Sequence, residues 1–217
     1  MSTIKTYSGL KSRIKSWLIR PDLEVELPTF IELAEAELNR RLRTRQMVKR
    51  SRVMADSRYI ELPGDWRKAW NIQRVEDEFP LTYMTPVELD KVRHGAKRNP
   101  AASVNQRHRA ATYYTLFGDS LELGPSPTPE APVEVEMLYY ATIPPLSEDD
   151  PTNWLLSMHP DLYLFGALKH TATFLKEDER LQVWSSQFEA ALASANQEDT
   201  SARRSGAPMQ RSVRGFQ

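Results

Sequence analysis

The sequence predicts an α+β protein. Helices from the two ends of the chain form an antiparallel helical bundle, and a small β-rich domain is inserted between them. Three observations predict this. Apolar residues recur every three or four positions near both ends, alternate with polar residues in the middle, and change period at proline or glycine. The expected division is 1–55 and 145–196 for the bundle, 56–144 for the insertion, and 197–217 for a flexible C-terminal tail.

The first helix is expected from about Ser8 to Ile19, where Tyr7, Leu10, Ile14, Trp17 and Leu18 fall on one stripe. Thr6 or Ser8 caps it, and Pro21 ends it because the residue before proline avoids the helical region. In the second helix Pro28 occupies the first turn, with Glu32 and Glu35 towards the positive end of the dipole. Phe30, Ile31, Leu33, Ala34, Leu38 and Leu42 form its buried stripe. Arg40, Arg41, Arg43 and Arg45 load its far end.

The middle changes period. Short strands are expected at 58–63, 69–75 and, more weakly, 81–84. Thr85-Pro86-Val87-Glu88 reads as a capping box opening a short helix that ends near Gly95. The basic, aperiodic stretch from Lys97 to Ala110 reads as a loop. Strands at 111–117 and 120–123 flank a Gly118-Asp119 turn, and a third runs from Val133 through Tyr140 to Pro144-Pro145. Helical spacing returns at Pro160 with Leu162, Phe165, Leu168, Ala172 and Leu175. A last helix carries Leu181, Trp184, Phe188, Ala191, Leu192 and Ala195. Trp17, Trp70, Tyr139, Phe165, Trp184 and Phe188 are core candidates.

Composition narrows the function classes. The chain has 217 residues, with 29 Lys plus Arg against 29 Asp plus Glu. The absence of Cys excludes disulfides, thiolate catalysis and Cys-ligated zinc. No uninterrupted apolar stretch approaches the length of a membrane-spanning helix, and Met1 to Leu10 lacks a secretory core, so neither a span nor export by that route is expected. Phosphate-binding glycine loops, His-Glu-x-x-His pairs and nucleophile elbows are missing. His94, His108, His159 and His170 are not spaced as ligands. No cofactor, metal or catalytic residue is expected.

Charge segregation is the remaining signal. Arg40, Arg41, Arg43, Arg45, Lys49, Arg50 and Arg52 fall in a stretch with no acidic residue. Such a cluster fits a solvated helix end, a contact with phosphates, or a carboxylate-bearing neighbour. Glu148, Asp149 and Asp150 form an acidic loop that offers the complementary surface for head-to-tail assembly. Trp154, directly after that loop, either anchors it to the bundle or sits in an interface.

Five blocks give the sequence a recognisable likeness. They are Thr6-Tyr7 through Trp17-Leu18 with Pro28 to Arg43, and Tyr59 to Pro63 with Asp65-Trp66. Leu81 to Pro86 follows, then Leu121 to Pro127 with Leu138-Tyr139-Tyr140, and finally Asn153 to Leu156 with Pro160 to Leu168. In order and spacing they resemble the tailed-phage head-to-tail adaptor (connector) proteins, distantly akin to the tail tubular protein A group. The resemblance implies a non-enzymatic virion protein made in the host cytoplasm and placed in the neck between capsid portal and tail. It implies a homo-oligomeric ring, commonly dodecameric, that binds the portal protein and a tail or nozzle protein. Double-stranded DNA would pass through its channel. Arg203, Arg204, Arg211 and Arg214 of the tail would then order on docking. The alternative is a nucleic-acid-binding accessory protein using the Arg-rich end of the second helix.

Overall fold

In chain order the elements are α1 (Tyr7–Leu18), α2 (Leu27–Arg41), β1 (Val48–Ala55), β2 (Tyr59–Glu61), β3 (Trp66–Arg74), β4 (Thr82–Tyr83), α3 (Pro86–Arg98), β5 (Tyr113–Phe117), β6 (Ser120–Gly124), β7 (Val133–Ala141), α4 (Trp154–Met158), α5 (Pro160–Leu175) and α6 (Asp178–Arg204). This computed structural model describes residues 4–98, 111–176 and 178–204. Helices at both chain ends flank a β-rich insertion, so the fold is α+β. The chain divides into two compact units, Met1–Met47 with Ile143–Gln217 and, separately, Val48–Thr142.

In the helical unit, α1 begins at Thr6, whose hydroxyl accepts the Gly9 N–H at 3.1 Å. Its buried stripe is Tyr7, Leu10, Ile14 and Leu18. Trp17 departs from the expected core: it is 44% exposed and meets Phe165 edge-on with ring centroids 6.0 Å apart. On α2 the buried stripe keeps Phe30, Ile31, Ala34 and Leu38, while Leu33 is 45% exposed, one position off the stripe. Leu42 stays buried but is extended, because the helix has already ended at Arg41.

Helix α5 packs against α1, α2 and α6. Gly166 makes that possible: a Cβ there would lie 2.9 Å from the Ala34 Cβ and 3.2 Å from the Phe188 ring. The outer helices therefore share one interior, with Leu38, Leu162, Tyr163, Leu168 and Phe188 buried. Each large apolar side chain removed from water there contributes about 1.5–3 kcal/mol. The last helix does not stop near Gln197 but runs to Arg204. A polar sequence remains helical there because Asn196 and the buried Asp199 face the segment after α2, where both accept backbone N–H groups. Arg211 and Arg214 lie outside the described residues.

The β unit contains two sheets, one of order β1-β7-β3 and one of order β2-β6-β5-β4. β7 is antiparallel to both its neighbours. Its alternation is the one the sequence shows: Val135, Met137, Tyr139 and Ala141 join Ile60, Ile72, Leu121 and Leu123 in the core. Strand β1 occupies residues that the sequence reading assigned to the basic end of the helical part. Lys49, Arg50 and Arg52 occupy both faces of the strand and conceal its period of two from any hydrophobic count. Gly118, with φ at +58°, makes the turn between β5 and β6. Thr85 and Glu88 form the expected capping box, with the Thr85 N–H donating to Glu88 Oε2 at 2.9 Å. Helix α3 continues past Gly95 to Arg98. The rest of the expected basic loop, 99–110, lies outside the described residues.

Candidate interaction surfaces

The basic stretch is split between the two units. Arg40 and Arg41 close α2. Arg41 forms ion pairs with Glu37 and Glu189, which hold its guanidinium pKa above the ordinary value and pull the Glu189 carboxyl below it. The Arg43 guanidinium turns back onto the carbonyl oxygens of Arg40 at 2.8 Å and Asn39 at 3.2 Å, satisfying the orphan acceptors of the helix end. The Arg43 N–H donates to Asn196 Oδ1 at 3.1 Å, and the Arg45 N–H donates to Asp199 Oδ1 at 2.7 Å. Arg40 and Arg45 form no ion pair among the described residues.

Lys49, Arg50 and Arg52 lie on β1. Lys49 pairs with Asp65 on one side of the sheet. Arg50 and Arg52 project to the other side, where both reach the buried carboxylate of Glu136 at 3.6 and 2.7 Å. That outer face also carries Met54, 59% exposed, and Trp70, 47% exposed and stacked on Tyr140 at 5.4 Å. Trp70 is therefore a surface residue, in contrast to its expected place in the core. Its strand carries a register shift between Ala69 and Asn71, which disturbs the alternation around it.

The acidic loop is a tight turn. The Ser147 N–H donates to Asp150 O at 3.1 Å, and the Asp150 N–H donates to Ser147 Oγ at 2.9 Å. Glu148 pairs with Lys11. Asp149 and Asp150 are exposed and form no ion pair among the described residues. Trp154 is half-buried at the start of α4. The neighbouring Asn153 makes the polar contacts that tie this segment down. Its Oδ1 caps α4 by accepting the Leu156 N–H at 2.8 Å, and its Nδ2 donates to Pro144 O and the Tyr163 hydroxyl, both at 2.7 Å.

Sequence reasoning missed this Asn153 network and its far end, Glu35. The Tyr163 hydroxyl donates to Glu35 Oε1 at 3.2 Å, and the Leu146 N–H donates to the same oxygen at 2.8 Å. Glu35 is 8% exposed, and burial raises its pKa above the ordinary carboxylate value. Burial also raises that of the Tyr163 phenol. An Asn before a short helix and a Glu on the apolar side of another were the available signals. Two residues on, burial works against the charge of Glu37 too, but hydrogen bonds from Lys169 and Arg41 outweigh it and hold that carboxyl low.

Glu35 lines an open groove of about 410 Å³ together with Tyr7, Ile31, Glu32, Leu146 and Glu148, among others. Among the described residues no group of three or more His, Asp or Glu is placed to hold a metal ion. His94 is exposed on α3, and His159 precedes α5. His170 is half-buried 3.5 Å from Glu37, and burial lowers its pKa. His108 lies outside the described residues. No described helix is long and apolar enough to cross a membrane.

In the helical unit Arg40 and Arg45 on one segment, and Asp149 and Asp150 on another, have no ion-pair partner among the described residues, the pattern of a protein that meets charged partners. A family model described as SU10 adaptor protein matches residues 5–212. The chain belongs to that family: it is a head-to-tail adaptor, a structural protein of the virion rather than an enzyme, and it works with portal and tail components. No curated protein matches the chain.

Proposed function

We propose that the protein forms a homo-oligomeric ring, dodecameric in the assembled particle, seated in the neck between the portal and the tail or nozzle. DNA passes through its channel. The observation that carries this reading is the separation of uncompensated charge within the helical unit. Arg40 lies in the last turn of α2 and Arg45 just beyond it, whereas the loop that carries Asp149 and Asp150 flanks Pro28, Ile31 and Glu32 of its N-terminal half. Ile31 and Arg41 are about 15 Å apart at the helical rise, and none of these four charges is ion-paired among the described residues. Opposite charges at opposite ends of one body favour a heterologous contact, and such contacts close into rings.

Arg41 and Arg43 contribute differently. They hold the end of α2 together, and Arg40 and Arg45 are left for the neighbour. Replacing Arg40 and Arg45 by Glu should abolish ring formation on portal particles viewed by electron microscopy, and adding Asp149→Lys and Asp150→Lys should restore it. An intact ring population with the first pair alone defeats the proposal. Free-DNA binding as the main role is less supported, because Arg50 and Arg52 share the Glu136 carboxylate, which offsets half of their charge.

A further inference from the structure

The groove beside Glu35 has a composition that fits one kind of occupant. Its lining combines the buried Tyr7, Ile31 and Leu146 with the exposed Pro28 and Pro145. Two exposed carboxylates, Glu32 and Glu148, also line it. Glu148 is engaged by Lys11, whereas Glu32 forms no ion pair among the described residues.

Glu35 is the unusual member. It is more than nine-tenths buried, yet both of its hydrogen bonds, from Leu146 N–H and Tyr163 O–H, fall on Oε1. Its Oε2 accepts no hydrogen bond among the described residues, and the residue lines the groove. That oxygen is not sealed from solvent but opens onto the groove, and the donor that binds an exposed carboxylate oxygen most strongly is a guanidinium. The raised carboxyl pKa agrees with a charge that has no cation near it. Burial raises the Tyr7 phenol pKa, Lys11 opposes that shift, and Glu148, Glu35 and Glu32 add to it.

The chain contains a segment of the matching chemistry. From Arg203 to Gln217 it has four arginines, Arg203, Arg204, Arg211 and Arg214, no acidic residue, and apolar Met209, Val213 and Phe216. The end of α6 lies far from the groove of its own copy. Asn196 and Asp199 contact Arg43 and Arg45, beyond the C-terminal end of α2, and α6 continues five residues further to Arg204. The groove flanks the other end of α2. Pro28 and Arg41 are about 20 Å apart at the helical rise, and the five residues of α6 past Asp199 add about 7 Å. The ten residues from Arg204 to Arg214 span about 34 Å only when fully extended. A chain therefore reaches its own groove only with its tail nearly straight, whereas a head-to-tail neighbour brings the two ends together without that stretch.

We infer that the groove lined by Tyr7, Ile31, Glu32 and Glu35 is the docking site for the Arg211–Phe216 segment of a second copy of this chain, with an arginine on Glu32 and Glu35 Oε2 and an apolar side chain against Ile31 and Leu146. The inference rests on the head-to-tail reading of the ring and names a second element of the same contact.

A fluorescent peptide with the sequence 203–217 should bind the full-length protein saturably by anisotropy, with affinity falling steeply in salt. Glu32→Arg and Glu35→Gln should each weaken it at least tenfold, whereas Glu61→Arg on the β unit should leave it unchanged. Absence of saturable binding, or equal binding by Glu32→Arg, overturns the inference. Because the chain has no Cys, the second test is clean. Mixed Glu32→Cys and Arg214→Cys proteins, treated with a short bismaleimide on portal particles, should give a two-chain product. A doubly substituted protein that gives only an internal product, diluted among unsubstituted chains, overturns the assignment to a second copy. A ring that forms on the portal and remains sensitive to Arg40 and Arg45, without peptide binding, sinks this inference and leaves the ring proposal standing.

Discussion

Each unit pairs a carboxylate with a tyrosine hydroxyl, and the two pairs behave oppositely. In the helical unit Tyr163 donates to Glu35, and the carboxyl pKa rises because burial removes solvent and no cation replaces it. In the β unit Tyr139 donates to Asp65 at 2.8 Å, and burial again works against the charge. Here the Lys49 ammonium and the phenol outweigh it and hold the carboxyl low, while the Tyr139 phenol is pushed up to about 12. The hydrogen bond is common to both, so it does not set the direction. The deeper burial of Glu35 and the cation beside Asp65 do. One unit thus carries a carboxylate ready to receive a positive group, and the other carries one already supplied.

Removing the polar framework should separate the two pairs most strongly. Asn153→Ala removes the α4 cap and the donor to Tyr163, leaving buried acceptors unmatched. It should cost about 3 kcal/mol in urea unfolding, roughly the sum of a lost cap and a buried group without a partner. Tyr163→Phe should cost about 2 kcal/mol, because Glu35 and Asn153, both largely buried, each lose a partner. Tyr139→Phe should cost about 1 kcal/mol, because Asp65 keeps Lys49 and is partly solvated. Equal losses in the two tyrosine variants would break the comparison.

Subtler changes test the electrostatic cause. Lys49→Met should move the Asp65 carboxyl upwards in an NMR titration, towards the behaviour of Glu35. A titration that does not move would show that the phenol, and not the ammonium, sets its direction. Glu35→Gln keeps an oxygen acceptor for both donors and should change neutral-pH stability least, with a slight gain. The pH dependence has a definite sign. A carboxyl raised in the folded state adds stability below its unfolded pKa, and that contribution disappears as pH rises through the folded pKa. The Gln variant should lack this component when urea midpoints are followed from acid to neutral pH. Asp65 acts the other way: its contribution is present above the unfolded pKa and is lost on acidification through the folded one.

The elements most legible in the sequence are those whose periodicity coincides with burial. Leu10, Ile14, Ala34, Leu38, Leu168 and Phe188 are spaced for one face of a helix and lie in the interior. The alternation of β7 and the capping box of α3 were legible for the same reason: each is a local rule satisfied locally. Strand β1 was not, because its long basic side chains, on both faces, mask the pleat until Glu136 is placed opposite Arg52. The continuation of α6 beyond Gln197 was hidden because Asn196 and Asp199 are used by backbone groups more than 150 positions away. For the candidate surfaces, sequence exposed the charge run but not its division into clamped and available members. That division depends on partners from other elements. Glu35 was legible as an early-turn carboxylate but not as a groove residue, since its two donors come from Leu146 and Tyr163.

The topology of the three-stranded sheet has a consequence for synthesis. Its central strand, β7, is the last of the unit to leave the ribosome, whereas both edge strands, β1 and β3, emerge much earlier. At about 5–20 residues per second, β1 waits several seconds for its partner. During that interval the hydrogen-bonding groups of β1 and β3 lack the strand that joins them. The charged side chains of β1, which hide it from a hydrophobic scan, also keep the nascent strand from pairing with copies of itself on neighbouring chains.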